Sequence, residues 1–235
     1  KDVIPTQQKL DFFYRSNVCY GRSALMLSGG GVFGFLHLGV VTELLRHGLL
    51  PRVISGSSAG SVVAAALAAY TDEEMASLDL IGLMESGGAD TRGLIRQWLS
   101  GAGSRFTADD VEKLIEATIP DLTFGEAYAK TGRQVSITVA PAEPHQRSRL
   151  LNAVSSPNVF LRSAAMASCA IPGVFPAVML KAKNERGEAQ PYLPARRWVD
   201  GSVADDLPAK RLSRLFSTNH YIVSMVNPIA RTFLP

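Results

Sequence analysis

The sequence predicts an α/β fold, a mainly parallel central sheet with helices on both faces, formed as one domain over residues 1–235. Three observations lead there. Short apolar runs alternate with helical patterns along the whole chain, the signature of βα units feeding a parallel sheet. Two of those runs end in glycine-rich turns that open directly into apolar helices. The 235 residues are also 46% hydrophobic and 19% charged, which suits one sizeable core and leaves no room for a disordered polyelectrolyte.

Taken in order, residues 1–22 read as a lead-in, and residues 23–27 form a strand running into Gly29-Gly30-Gly31. Apolar residues at helical spacing over 35–47 predict a helix with Gly48 as its C-cap. Residues 52–54 are a second strand ending in Ser55-Gly56, and residues 59–69 a helix of mostly small side chains that can approach a sheet closely. The pattern loosens over 71–106, bracketed by Gly87-Gly88 and Gly101 and Gly103, and reads as a lid or surface excursion. Thr107 N-caps a helix with acidic residues in its first turn, closing before Pro120. Residues 133–140 alternate polar and apolar and form the clearest strand. A helix over 158–170 stops at Ile171-Pro172-Gly173, a strand end at 197–199 leads to Asp200-Gly201, and the last strand, 221–226, is stopped by Asn227-Pro228.

The 24 basic and 21 acidic residues leave a formal charge of +3 spread along the chain, far from a nucleic-acid footprint. Cys19 and Cys169 stand alone, with no histidine cluster at metal-ligand spacing, so neither a disulfide framework nor a metal site is expected, and both thiols read as buried. That cysteine usage favours a reducing compartment, and the expected location is cytoplasmic or peripheral on a lipid surface. The longest apolar stretch, 59–70, is too short to span a bilayer. The chain opens at Lys1 without a signal pattern and is expected to be a domain of a longer protein.

Gly56-Ser57-Ser58-Ala59-Gly60 fits the G-x-S-x-G nucleophile elbow, where a serine sits on a strained strand-to-helix turn and Gly56 and Gly60 are required because side chains there would clash. The bland alternative is a loop before a helix. Gly29-Gly30-Gly31-Val32-Phe33-Gly34 admits two readings. As a dinucleotide cradle it wants an acidic residue after the next strand, which instead ends in Ser55-Gly56. As an oxyanion hole its N–H groups would stabilise the charge formed when a serine attacks an ester, at about 3–4 kcal/mol per donor. The serine elbow one βα unit later favours the second.

An activated serine needs a base. In an open parallel sheet the active crevice lies outside the carboxyl ends of the strands, and Gly29, Ser58 and Asp200 each follow a strand. His220 precedes its strand and belongs to the opposite edge, while His37, His47 and His145 lie in a helix, at its end and in a polar loop. Asp200 is therefore the candidate base in a Ser-Asp dyad, which requires surroundings that raise its pKa or couple it to Ser58. Its bland reading is a turn-forming Asp-Gly. Asp205 and Asp206 are substitutes, read otherwise as caps for a helix after Pro208.

These segments together resemble the patatin-like phospholipase family, in which a glycine-rich loop, a G-x-S-x-G serine and a D-G-G or D-G-A aspartate occur in that order. The resemblance covers nearly the whole chain. Leu27-Ser-Gly-Gly-Gly31, Leu50-Pro-Arg-Val-Ile-Ser-Gly-Ser-Ser-Ala-Gly60, Ile171-Pro-Gly-Val-Phe-Pro176 and Arg197-Trp-Val-Asp-Gly-Ser202 resemble in particular the branch of triacylglycerol and seed-oil-mobilising lipases. The resemblance implies a three-layer sandwich, calcium-independent hydrolysis of phospholipid or neutral glyceride esters, and no cofactor or metal. Carried over by position, Ser58 is nucleophile, Asp200 base, and Gly29, Gly30 and Gly31 the oxyanion loop. Two departures are Phe33, where many members carry a basic residue, and Ser202 after Asp200-Gly201. No histidine has an aspartate at the spacing of the acyltransferase signature of some relatives.

The expected partners are a phospholipid or acylglycerol substrate and a lipid surface, with no nucleic acid; the sequence is silent on oligomeric state. Arg92 and Arg96 interleave with Leu94, Ile95 and Trp98, a composition suited either to a lipid surface or to a helix packed on the core. The rivals are a non-catalytic lipid-binding domain, a His220-assisted esterase of soluble esters, and a nucleotide-binding protein.

Overall fold

The computed structural model describes residues 4–78, 107–143 and 145–226. Helix α1 (Thr6–Tyr20) leads through Gly21 into strand β1 (Arg22–Leu27), and every described side chain of α1 is exposed. Cys19, expected to be buried, is therefore exposed on α1, while Cys169 is buried. After β1 comes a single 3₁₀ turn (Gly31–Phe35) that runs into α2 (Leu36–Arg46). Helix α2 ends where Gly48, at φ 63°, donates to Leu45 and Leu49 donates to Leu44, the paired bonds of a Schellman stop.

Strand β2 (Val53–Gly56) and helix α3 (Ala59–Ala69) follow. Ten consecutive residues of α3 are buried, because small side chains let the helix sit tightly against its neighbours on all sides. Helices α4 (Asp72–Ser77), α5 (Ala108–Thr118) and α6 (Phe124–Thr131) each begin with a reciprocal threonine box, pairing Thr71 with Glu74, Thr107 with Asp110 and Thr123 with Glu126. Residues 72–77 are thus helical where the sequence pattern loosened; Arg92, Leu94, Ile95, Trp98 and the glycine pairs around them lie outside the described residues. Strand β3 (Gln134–Pro141) precedes β4 (Arg149–Asn152), α7 (Leu161–Ser168), a hairpin of β5 (Lys181–Lys183) and β6 (Ala189–Pro191), and β7 (Trp198–Asp200). Short α8 (Ser202–Asp205), α9 (Ala209–Phe216) and β8 (Thr218–Ser224) complete the order. Helix α7 is shorter than its apolar pattern because Val159 and Phe160 make β-bridges to Ala182 and Thr123.

The sheet order is β4-β3-β2-β1-β8, with β1, β2, β3 and β8 parallel and β4 antiparallel at one edge. Strand β7 also pairs antiparallel with β3. Val139 is matched to Arg149 of β4 and to Asp200 of β7, so β7 lies on the side of β3 that β2 occupies further back. There β2 stops with Gly56 beside Ile137, and β7, running the opposite way, stops with Asp200 beside Val139. The two strands meet head to head along β3.

Leu25, Leu27, Ile54, Ile137 and Val139 face a large core closed by α2, α3, α5 and α7. Ala24, Met26 and Val53 face the other way and pack on Leu212 and Phe216 of α9. The sheet therefore carries helices on both faces, thickly on one and thinly on the other. The alternation over β3 does not leave one side wet, since Ser136 and Thr138 are as buried as Ile137 and Val139. Arg133 is also buried; its guanidinium donates to the carbonyls of Leu67 and Tyr70 at 2.6 Å and pairs with Asp72, stopping the C-terminus of α3. Among the described residues no helix is long and apolar enough to cross a membrane.

Candidate active site

Ser58 is the N-cap of α3, two residues after the end of β2, and its backbone stands at φ 50° and ψ −126°, a conformation that non-glycine residues avoid. The flanking glycines allow it. A Cβ on Gly56 would lie 2.3 Å from the Gly60 carbonyl oxygen, and one on Gly60 would lie 2.4 Å from that of Leu27. The turn is held from outside by Ser168 on α7, whose hydroxyl accepts from the Ser58 N–H and donates to the Thr138 carbonyl, both at 2.8 Å. Ser61 donates its hydroxyl to the Ser58 carbonyl at 2.6 Å. Ser58 itself is 5% exposed at the N-terminus of α3, where the helix dipole favours negative charge.

Asp200 faces Ser58 because β7 runs head-on toward β2. The sequence argument placed it at the shared edge as a residue following a parallel strand; the strand is antiparallel, and the register with Val139 does the placing instead. Asp200 is 2% exposed, and burial raises its pKa above the ordinary carboxylate value against the opposing pull of the Ser58 hydroxyl and the Ser202 backbone and hydroxyl. The Ser202 N–H donates to Asp200 Oδ1 at 2.8 Å. A Cβ on Gly201 would collide with the Thr138 backbone at 2.5 Å, so the turn after Asp200 demands its glycine.

The glycine turn packs against the same spot: a Cβ on Gly29 would stand 3.1 Å from those of Ser58 and Ser202. The Gly29 N–H is occupied, donating to Asp206 Oδ1 at 2.8 Å. The N–H groups of Gly30 and Gly31 have no partner among the described residues and remain available to an oxyanion. Asp206 does not cap α9, whose N-cap Pro208 has no side-chain partner; Asp205 pairs with Arg211 at 3.4 Å. His37 is fully buried behind the turn, with Nε2 2.9 Å from the Ser28 carbonyl and Nδ1 2.7 Å from the Ser224 hydroxyl. A carbonyl can only accept, so Nε2 carries the hydrogen and Nδ1 accepts from Ser224; burial lowers the ring's pKa and keeps it neutral. His220 pairs with Ser23 at the start of β1, the edge away from Ser58.

A cavity of about 80 Å³ opens beside Ser58, lined by Gly31, Phe35, Val62, Val63, Leu114 and Phe175 among others, with no charged side chain among the described residues that line it. A smaller one of about 30 Å³ shares Val111, Cys169 and Phe175 with it and continues toward Met166 and Val178.

The structure thus brings Ser58, Asp200, Gly29, Gly30, Gly31, Gly56 and Gly60 to one place. Sequence reasoning missed Ser168 and His37 and misread Asp206. A serine near the end of a helix carries no local signal for partners at Ser58 and in β3, while His37, a polar residue on the apolar face of α2, could have been singled out as a buried group needing partners.

Residues 25–212 match the model of the patatin-like phospholipase family. A triacylglycerol lipase of Arabidopsis thaliana, SDP1L, is 40% identical over 248 residues, which cover 99% of this chain and 31% of that protein. A patatin-like phospholipase domain-containing protein of Yarrowia lipolytica is 38% identical, covering 96% of this chain and 28% of its own. The chain spans less than a third of the length of these relatives. Among solved structures, VipD from Legionella pneumophila aligns over 91% of this chain and 52% of its own with a TM-score of 0.47 and 15% identity. ExoU of Pseudomonas aeruginosa, solved in complex with SpcU, aligns over 66% and 39% with a TM-score of 0.39 and 22% identity.

Proposed function

The chain belongs to the patatin-like phospholipase family, and from that premise we propose that it hydrolyses fatty-acyl esters of lipids through a Ser58–Asp200 dyad. The observation that carries the proposal is a strained serine facing a buried carboxylate at the mouth of a cavity whose described lining is mostly apolar. Asp200 takes the Ser58 proton as the hydroxyl attacks the ester carbonyl, and the oxyanion rests on the free N–H groups of Gly30 and Gly31. The proton passes to the departing alcohol. Water, deprotonated by the same carboxylate, then releases the fatty acid from Ser58.

A cavity of this size holds about half a dozen water-sized groups, enough for the first methylenes of an acyl chain. The rest of the chain can follow the neighbouring cavity toward Met166. The described walls of the cavity carry no charge, and Phe33 stands where a basic residue is common in the family. Together with the likeness to a protein named as a triacylglycerol lipase, this favours acylglycerols over phospholipids as substrates.

The test is fatty-acid release from triacylglycerol and phospholipid emulsions, with and without chelator. Ser58→Ala is expected to lower kcat about 10⁴-fold or more and Asp200→Asn about 10³-fold, with chelator and His220→Ala leaving it unchanged. Full activity in Ser58→Ala or Asp200→Asn would falsify the dyad, and faster cleavage of phospholipid would reverse the substrate preference.

A further inference from the structure

We propose that Asp206 is a positioning residue that straps the glycine turn to the nucleophile elbow, its carboxylate holding Gly29 and its own carbonyl holding Ser57. The proposal rests on the Ser58–Asp200 reading and adds to it. The Gly29 N–H donates to Asp206 Oδ1 at 2.8 Å, and the Ser57 hydroxyl donates to the Asp206 carbonyl at 2.9 Å. Each of these bonds ends one residue short of a reacting group: Gly29 precedes the Gly30 and Gly31 N–H groups, and Ser57 precedes the nucleophile. One residue thereby sets the gap between the oxyanion donors and the serine, the dimension on which attack geometry depends most steeply. His37 secures the base of the same turn at Ser28, and Asp206 secures its far side.

The strap is also charged. The groups facing the Asp206 carboxyl on described residues are Asp200 from β7, Asp205 from α8, which is itself paired with Arg211 of α9, and the Gly29 N–H. Burial pushes Asp206 up to about 6, with the Gly29 N–H opposing and the two neighbouring aspartates adding to the rise. The Asp200 carboxylate thus acts on Asp206, holding its proton to higher pH. Position and charge separate in two variants: Asp206→Ala removes both, and Asp206→Asn keeps an acceptor for Gly29 and removes only the charge.

The experiment measures kcat and KM for a soluble short-chain ester from acid to neutral pH, alongside the rate at which a fluorophosphonate labels Ser58. Asp206→Ala is expected to lower kcat and the labelling rate about tenfold or more, with KM within about twofold. Asp206→Asn is expected to recover at least about a third of wild-type kcat, because its amide oxygen still accepts from the Gly29 N–H. A packing role alone would lower the melting temperature without slowing the labelling of Ser58. Wild-type kcat and labelling rate in Asp206→Ala, or no recovery in Asp206→Asn, overturns the strap; if Asp206→Ala does not fold, the kcat of the asparagine variant decides. Ser58→Ala is run in parallel. If it stays active the dyad itself is wrong, whereas an inert Ser58→Ala with wild-type Asp206 variants removes only the present inference.

Discussion

Ser58 holds a backbone conformation at φ 50° that costs about 1–3 kcal/mol for a residue with a side chain, and the bonds from Ser168 and Ser61 keep it there. Asp200 adds a second cost, because a buried carboxylate is poorly solvated once ionised. Its pKa is raised from 3.8 by burial, so the native state binds that proton more tightly than the unfolded chain does. The resulting advantage is complete below 3.8 and is lost as pH rises through the native value. Asp200→Asn is therefore expected to melt above the wild type at neutral pH, with the gap closing as pH falls toward 3.8. Thermal melts across that range check it, and a lower neutral-pH melt in the variant would contradict the burial argument. His37 acts in the opposite range: its value is lowered, so protonation of the unfolded chain withdraws stability as pH drops below 6.5.

Helix α3 and the turn before it carry the site, and the cavity is completed by α5 through Val111 and Leu114. Because α5 enters on its own capping box and packs chiefly through one apolar face, its side chains can be varied without touching Ser58. Leu114→Trp fills part of the small cavity and is expected to shift acyl preference toward short chains by about tenfold in kcat/KM, since one methylene in an apolar pocket is worth about 1–3 kcal/mol. Competition between short-chain and long-chain nitrophenyl esters reads this out. An unchanged ratio would mean that the acyl chain leaves the cavity by another path.

The molecule is unevenly built. One face of the sheet is closed by α2, α3, α5 and α7, the other mainly by α9, and α1 exposes Phe12, Phe13 and Tyr14. Protection from hydrogen exchange follows burial of the bonded backbone. Amides of α3, β1, β2 and β3 are expected to exchange only on global unfolding, and those of α1 orders of magnitude faster. Exchange of α1 as slow as that of α3 would show that it packs on something beyond the described body.

Much was legible in the residues themselves. The glycines around Ser58, the threonine before α5, the Gly48 stop and the small side chains of α3 all express sterics and hydrogen bonding within a few positions, so the elbow, the helix and the family resemblance could be read locally. What no local pattern carries is how distant strands pair. Asp200 reaches Ser58 because β7 runs antiparallel on the length of β3 that β2 leaves free. Asp206 reaches Gly29 across 177 positions, and His37 reaches Ser224 across 187. Those contacts are set by register and loop closure over the whole chain, and an aspartate two residues before a proline reads as a helix cap until the sheet brings Gly29 to its side.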